Sequence, residues 1–156
     1  PRTWDAATLH GLRAVATLAT KEVALRWHRT AHAEAERALV ESERFSDTLL
    51  DASPDCVKLL DRDGRLRYMN ASGRCLMEIG DFRAIEGIDW AAAWPGEERP
   101  RARAAVREAL AGGHGRFVGY CPTLGGTPRW WDVAVTPVRD AHGAIDRLLV
   151  VSRDVT

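Results

Sequence analysis

Paired cysteines, prolines between residues 2 and 53 and long apolar runs are all lacking in this sequence. The three cysteines, Cys56, Cys75 and Cys121, are an odd number without CxxC spacing, which argues against a disulfide framework and against a zinc site. That usage favours a reducing compartment, and we expect the protein to be cytoplasmic. No apolar run approaches the roughly 20 residues of a membrane span, so we expect no membrane contact.

Net charge is lacking as well, because 22 basic residues balance 22 acidic ones. This balance creates no global field toward nucleic acid or anionic lipid, and we predict no nucleic-acid partner. The start, Pro1-Arg2-Thr3-Trp4-Asp5, shows neither Met nor a signal-peptide pattern, and we interpret it as a cut inside a longer protein. A chain of 156 residues has room for one ordinary domain and an extension.

Helix is predicted for the stretch from about Asp5 to Ser53, which has no proline and a single glycine, Gly11, and Glu43–Ala52 is predicted as a second, short helix within it. Ala, Leu, Arg and Glu dominate this stretch, and all four are good helix formers. A narrow stripe falls on multiples of seven and comprises Leu18, Leu25 and Leu39, with His32 in the remaining slot. Such stripes are typical of helices that pack on a partner helix, so we expect a homodimer.

Two hairpins with the same turn signature follow. In the first, the strands Cys56–Leu60 and Arg65–Met69 flank the turn Asp61–Gly64. Asp at the first turn position and Gly at the fourth suit a type I turn. The second hairpin repeats the pattern with strand, turn and strand at Val133–Val138, Asp140–Gly143 and Ile145–Ser152.

Helices are predicted between the two hairpins. Asn70 can cap a helix that runs through Met77. Pro100 suits the first turn of a helix that Gly112-Gly113 terminates, and Arg116–Cys121 follows as a further strand. The order of strand, strand, helices, strand, strand, strand predicts an α+β fold, in which helices cover one face of a five-stranded antiparallel sheet.

From Arg44 to Thr156 the chain resembles a PAS domain of the variety common in bacterial sensor proteins. The resemblance rests on the order and spacing of five stretches: Arg44–Asp55, Leu60–Asn70, Trp131–Val138, Asp140–Gly143 and Ser152–Thr156. The last stretch is similar to the Asp-Ile-Thr ending of PAS modules. The resemblance implies the PAS fold, with a ligand-sized cavity between sheet and helices. It divides the chain into a helical linker over residues 1–43 and a PAS domain over residues 44–156.

The first residues resemble a different module. Pro1–Trp4 followed by Leu9–Arg26 looks like the final helix of a GAF domain that runs into a linker. A plain coiled-coil linker is the alternative, and the sequence leaves both open.

No cofactor is required by the residues present. The flavin-binding relatives carry their cysteine in a motif equivalent to Gly87–Trp90, which has none here. Cys75 lies too early in the chain, and we expect it to be a buried small residue. Haem-binding relatives use a histidine on the long helix, whereas His114 follows that helix and is interpreted as a loop residue. We therefore disfavour flavin and haem, although flat rings stack on tryptophan and leave an aromatic ligand open.

Metal and catalytic sites are not predicted either. His28 and His32 lie four apart on a helix, but Arg26 and Arg29 beside them would repel a cation. None of the five histidines has the sequence context of a phosphate-accepting kinase histidine. The glycines in Leu124–Thr127 fall between strands and indicate a turn. We expect a non-catalytic module.

The PAS resemblance implies a pocket under the sheet, lined by apolar and aromatic side chains. The candidates are Met69, Leu76, Phe82, Ile88, Trp90, Trp94, Val106, Phe117, Tyr120, Trp131, Val133 and Leu149. Trp130 and Trp131 are adjacent in a strand, so their rings point to opposite faces of the sheet. Core packing is the alternative role for all of these tryptophans.

Together these observations predict a sensory or regulatory module of a multidomain bacterial signalling protein such as a sensor histidine kinase. A ligand or conformational signal would pass through the sheet to a downstream effector domain. Arg153, Asp154 and Thr156 are the candidate output junction, with Asp154 anchored by Arg153 or another arginine. The alternative is a ligand-free module for protein–protein interaction and dimerisation.

Overall fold

The computed structural model describes residue 29, residues 32–46 and residues 48–156. The chain divides into two compact units with the boundary after Ser46. Residues 32–46 form helix α1 and are exposed, and residues 48–51 are helical. The predictions for Pro1–Trp4, Leu9–Arg26, Leu18, Leu25 and His28 lie outside the described residues. No helix among those described is both long and apolar enough to cross a membrane.

The second unit contains the predicted five-stranded antiparallel sheet. Its strands are β1 (Cys56–Leu60), β2 (Leu66–Met69), β3 (Gly115–Tyr120), β4 (Trp130–Arg139) and β5 (Ile145–Asp154). They lie in the order β2-β1-β5-β4-β3, so the first and last strands in sequence are neighbours at the centre. The sheet and the covering helices confirm the fold prediction.

Both predicted turns form. The Gly64 amide donates to the Asp61 carbonyl over 3.0 Å, and the Gly143 amide donates to the Asp140 carbonyl over 3.0 Å. Each glycine has a positive φ, 75° and 81°, which is a conformation that residues with a Cβ adopt only at a cost.

Helices occupy the segment between β2 and β3. Helix α2 (Ala71–Leu76) begins at Asn70, whose side chain accepts from the Gly73 amide as an N-cap. Two short 3-10 helices, Phe82–Ala84 and Ala91–Ala93, lead to helix α3 (Glu98–Leu110).

A Schellman motif ends helix α3. The Gly113 amide donates to the Glu108 carbonyl, and the Gly112 amide donates to the Ala109 carbonyl. Gly112 has a φ of 92°, as this cap requires. The predicted glycine stop is therefore confirmed.

The sheet buries one face against the helices. Trp131, Val133 and Val135 of β4 are buried, whereas Trp130 is 47% exposed, as the adjacency of the two tryptophans predicts. In β5 the buried residues are Leu148, Val150 and Ser152, because Val150 lies directly opposite Val135 and opposed residues share a face.

Cys75 is exposed, so the expectation that it is buried is wrong. The buried residue of the short helix α2 is Gly73, where an added Cβ would lie 2.6 Å from the Cys56 Sγ. Cys75 is two residues further on, which places it about 200° around the helix and on the opposite side.

Candidate functional site

A cavity of about 100 Å³ lies under the sheet. Its walls are almost entirely apolar and come from β1, β2, β4, the segment between α2 and α3, and the loop between β3 and β4. The lining residues are Lys58, Leu66, Met69, Met77, Ile79, Ile85, Ile88, Trp90, Ala93, Trp94, Cys121, Leu124 and Trp131. Leu124 is 65% exposed and Ile88 37% exposed, so the cavity reaches the surface where these two side chains lie.

An aromatic cluster forms one side of the cavity region. The Trp90 and Trp94 rings pack edge to face with centroids 5.7 Å apart. Phe117 packs against both, at 6.4 Å from Trp90 and 4.9 Å from Trp94. Trp90 is held in place because its amide donates to the Gly64 carbonyl over 3.1 Å. Such edge-to-face packing fixes the rings against one another.

The structure places five of the predicted pocket residues in the cavity wall: Met69, Ile88, Trp90, Trp94 and Trp131. Leu76, Phe82 and Phe117 are partly buried and pack against the hydrophobic core without lining the cavity. Val106 and Val133 are core residues outside the wall.

Tyr120 and Leu149 were predicted to line the pocket, but neither lies in the cavity wall. Tyr120 lies opposite Trp130 in the ladder between β3 and β4, and the two rings pack with centroids 5.8 Å apart. Trp130 is on the outer face of the sheet, so Tyr120 is too. Leu149 lies opposite Thr136 and alternates with the core residues Leu148 and Val150.

Lys58 is a cavity residue that the sequence analysis missed. It is 5% exposed, and its Nζ donates to the Ser152 Oγ over 3.1 Å. It shares the parity of Cys56 and Leu60, both fully buried. That parity, with one charged residue in an apolar strand, is the signal that could have identified it.

Cys121 was also missed as a wall residue. Its carbonyl accepts from the Trp131 Nε1 over 2.9 Å, which fixes the indole at the cavity. Burial raises the pKa of the Cys121 thiol, and the positive charge of Lys58 acts in the opposite direction. A raised pKa keeps this thiol protonated and poorly nucleophilic.

A carboxylate clasp holds the loop between β3 and β4 at the rim of the cavity. The Glu78 carboxylate accepts hydrogen bonds from the hydroxyls of Thr123 and Thr127. These bonds, led by that of Thr123, hold the pKa of Glu78 below its ordinary value. The Leu124 amide donates to the Met77 carbonyl over 3.0 Å. The clasp therefore fixes two wall residues, Leu124 and Met77, relative to each other.

The end of β5 forms a compact polar junction. Asp154 pairs with Arg129 and accepts from the Thr156 hydroxyl over 2.6 Å and the Thr156 amide over 3.0 Å. The Thr156 hydroxyl oxygen accepts in turn from the Trp130 amide over 3.0 Å. Arg153 pairs instead with Asp55, at 3.1 Å. The arginine that anchors Asp154 is therefore Arg129 and not Arg153.

Two contacts connect the cavity with this junction. Trp131, a cavity residue, lies directly opposite Asp154 in the ladder between β4 and β5. Lys58, also a cavity residue, contacts Ser152, two residues before Asp154. Two cavity side chains are therefore direct neighbours of the last residues of β5.

The candidates for cofactor and metal chemistry lie elsewhere. Cys75 and His114 are exposed and are not part of the cavity wall, and His114 lies in the loop after α3, as predicted. Among the residues that the structure describes, no three His, Cys, Asp or Glu side chains are grouped to hold a metal ion.

Sequence comparison matches one family. A family model described as the PAS fold matches residues 50–156. No curated protein matches the chain significantly.

Several solved structures share the fold. The PAS domain of an HTR-like protein from Haloarcula marismortui is 20% identical, with a TM-score of 0.65 over 78% of this chain and 98% of that one. A domain of a sensory box sensor histidine kinase/response regulator from Geobacter sulfurreducens is 16% identical, with a TM-score of 0.61 over 74% and 96%. An RNA-binding light-oxygen-voltage receptor is 19% identical, with a TM-score of 0.63. The match to it covers 73% of this chain and 33% of that receptor.

Proposed function

Because the chain belongs to the PAS fold family through residues 50–156, we propose that it is a sensory and regulatory PAS domain of a multidomain bacterial signal-transduction protein. In this proposal the domain converts occupancy of its cavity, or a conformational change, into a signal for a downstream effector domain. The domain itself is non-catalytic and cytoplasmic.

The observation that carries the proposal is the position of Trp131 opposite Asp154. Trp131 contributes its ring to the cavity, whereas Asp154 holds the chain end through Arg129 and Thr156. A ligand that moves the ring shifts the local geometry of β4 and so the strand pairing at Asp154. Packed interiors transmit such shifts because they are dense and weakly compressible.

A sensor histidine kinase is the proposed parent protein. Support comes from the Geobacter sulfurreducens domain, which belongs to a protein described as a sensor histidine kinase/response regulator. At 16% identity that similarity shows the fold alone, so the output enzyme is part of the proposal. We propose a homodimer through the N-terminal helix, whose described residues leave Leu39 and Phe45 60% and 65% exposed.

A ligand-free interaction module is the second candidate, favoured by the aromatic cluster. Trp90, Trp94 and Phe117 fill much of the space beneath the sheet with their own rings. The cavity that remains, at about 100 Å³, is small. Absorbance between 350 and 500 nm together with mass spectrometry of denatured protein distinguishes the candidates for a chain that retains its ligand. A thermal-shift screen against metabolites extends the comparison to exchangeable ligands.

The test of signal relay joins residues 1–156 to a reporter histidine kinase and measures autophosphorylation. Asp154→Ala removes the acceptor that holds the junction, and we expect it to change the rate by at least severalfold. Asp140→Ala is the matched control, because Asp140 also holds a turn by hydrogen bonds, at the opposite end of β5. Equal rates for all three proteins would contradict the relay.

A further inference from the structure

Lys58 is a buried cation inside an apolar cavity. Its side chain is 5% exposed, and among the residues that line the cavity it is the single charged one. The ion pairs formed by the described Asp and Glu residues do not include Lys58. No carboxylate of the described residues therefore forms an ion pair with it.

The hydrogen bonding of Lys58 is incomplete. A lysine ammonium carries three donors, and Lys58 uses one of them on the Ser152 hydroxyl. Burying a charge is costly unless it is paired and hydrogen-bonded. An anion in the cavity would supply both the missing charge and the missing acceptors.

The rest of the wall determines what else such an anion carries. Trp90, Trp94 and Trp131 present indole rings, and the other wall residues are aliphatic, thioether or thiol side chains. An apolar cavity of roughly 150 Å³ holds a benzene ring, and this one measures about 100 Å³. The enclosed volume is therefore smaller than a benzene site, and a single ring is accommodated only if part of it extends toward the surface between the exposed side chains of Ile88 and Leu124.

The charge count selects among anions. One lysine balances one negative charge, whereas a phosphate monoester carries close to two at neutral pH. The wall offers no second cation and no arginine fork for a phosphate. A monoanion with a compact hydrophobic body matches both the charge and the lining.

We propose that the cavity binds a small monocarboxylic acid of about the size of benzoate, with its carboxylate on the Nζ of Lys58 and its ring among the tryptophans. The proposal rests on the sensory function proposed above and names the ligand class for that cavity. It also gives the signal a route, because a carboxylate that binds the free ammonium donors repositions the group that donates to Ser152. Ser152 lies in β5 two residues before Asp154.

The amino-acid usage of the chain makes Lys58 unusually easy to observe. Of the 22 basic residues 20 are arginine, and the two lysines are Lys21 and Lys58. Protein with ¹⁵N in its lysine side chains therefore gives two Nζ signals. Lys21→Met identifies which signal belongs to Lys58 and serves as the control for removing one positive charge.

The experiment titrates the full chain with benzoate and, in parallel, with benzamide and benzyl alcohol, which keep the ring and lack the charge. We expect benzoate to shift the Lys58 Nζ signal and to bind at least about tenfold more tightly than benzamide, as a charge-assisted hydrogen bond in a desolvated site requires. Lys58→Met keeps the length and apolar stem of the side chain. It should abolish the preference for benzoate, and Lys21→Met should leave that preference intact.

Equal affinities for benzoate and benzamide in the unmodified chain would overturn the proposal without any variant, as would a Lys58 signal that benzoate does not shift. A Lys58→Met protein that still binds benzoate more tightly than benzamide would overturn the proposal as well. The proposed sensory function is tested separately. If benzoate binds through Lys58 but leaves the rate of the reporter kinase unchanged, the ligand site is supported and the relay is contradicted. If Asp154→Ala changes the kinase rate but benzoate does not bind, the relay is supported and the ligand site is contradicted.

Discussion

Glycine at position 115 sets how closely helix α3 approaches the sheet. A Cβ added to Gly115 would lie 2.3 Å from the Ala105 carbonyl oxygen and 2.5 Å from the Ala105 Cα. Backbone atoms of a helix cannot move independently of their neighbours. The absent side chain therefore lets β3 and α3 touch at the start of the strand.

Gly115→Ala should lower the free energy of unfolding by about 2–3 kcal/mol, because overpacking a close contact forces the backbone apart. Urea denaturation at neutral pH measures the change. Gly80→Ala is the control, since no atom lies within 4 Å of a Cβ at Gly80, and it should change stability by less than about 0.5 kcal/mol. If the two substitutions lower the free energy of unfolding equally, the close contact with Ala105 does not determine the stability of this packing.

The carboxyl of Asp154 has a lowered pKa. The hydrogen bond from the Thr156 hydroxyl is the largest cause, burial opposes it, and the Thr156 amide and Arg129 lower the pKa further. Because the folded pKa lies below the unfolded value near 3.9, the carboxylate stabilises the fold above that pH. This contribution is lost as the pH falls through the folded pKa.

Thr156→Val should raise the pKa of Asp154 toward the ordinary aspartate value, because it removes the hydroxyl donor and keeps the shape. A titration of the ¹³C carboxyl signals measures the pKa directly. Thr136→Val, in the same sheet and away from Asp154, should leave the titration unchanged. A Thr156→Val protein with the original pKa would assign the shift to the Thr156 amide and Arg129 instead.

Single side chains also show where sequence reasoning reaches its limit. Trp130 and Trp131 could be assigned to opposite faces because adjacency in a strand decides it. Leu148-Leu149-Val150-Val151 is apolar at both parities, so only the pairing of Val150 with Val135 reveals which residues are buried. Lys58 was overlooked because its partner, Ser152, lies 94 residues away in sequence.

At the level of elements, Asn70 connects several segments. Its side-chain oxygen accepts from the Val57 and Gly73 amides, each over 2.9 Å. Its amide nitrogen donates to the carbonyls of Leu50 and Asp55 over 2.9 and 3.1 Å. One fully buried residue thus caps α2, fixes the start of β1 and holds the helical turn that precedes it.

Asn70→Ala should cost about 2–4 kcal/mol of unfolding free energy, because four hydrogen bonds are lost and buried backbone groups are left unpaired. Urea denaturation gives the value. Asp81→Ala, which removes an exposed cap of the first 3-10 helix, should cost less than about 1 kcal/mol. A loss for Asn70→Ala no larger than that for Asp81→Ala would mean that other contacts hold the segments together.

Caps and turns were the elements that the sequence predicted best. Asn70, Gly112 and the two Asp-x-x-Gly turns act through their nearest neighbours in the chain, so their chemistry is local. The cavity wall is different, because Met77, Cys121 and Leu124 meet only through the loop that Glu78 clasps. No local pattern marks contacts between segments some 45 residues apart.

At the scale of the whole molecule, the described helix α1 exposes Leu39 and Phe45. Leu39 lies on the predicted seven-residue stripe, and an apolar stripe along a helix favours packing on a partner helix. We expect the chain to be a dimer by multi-angle light scattering, and Leu39→Glu to shift it toward monomer by at least about tenfold in dissociation constant.

Arg37→Glu is the matched control for the dimer, because residue 37 is two positions from Leu39 and points about 200° away around the helix. Both substitutions introduce a glutamate. If Arg37→Glu remains a dimer and Leu39→Glu does not, the dimer contact lies on the side of the helix that carries Leu39. A monomeric unmodified chain at high concentration would contradict dimerisation through this helix.

The ion pair between Arg153 and Asp55 marks the place where the chain enters and leaves the sheet. Cys56 and Ser152 lie opposite each other in neighbouring central strands, about 5 Å apart between Cα atoms. A domain whose two ends lie this close together tolerates insertion into another chain, because the flanking polypeptide keeps nearly the same path. Copies of such a domain can also follow one another in tandem, each with its own arginine–aspartate ion pair where the chain enters and leaves the sheet.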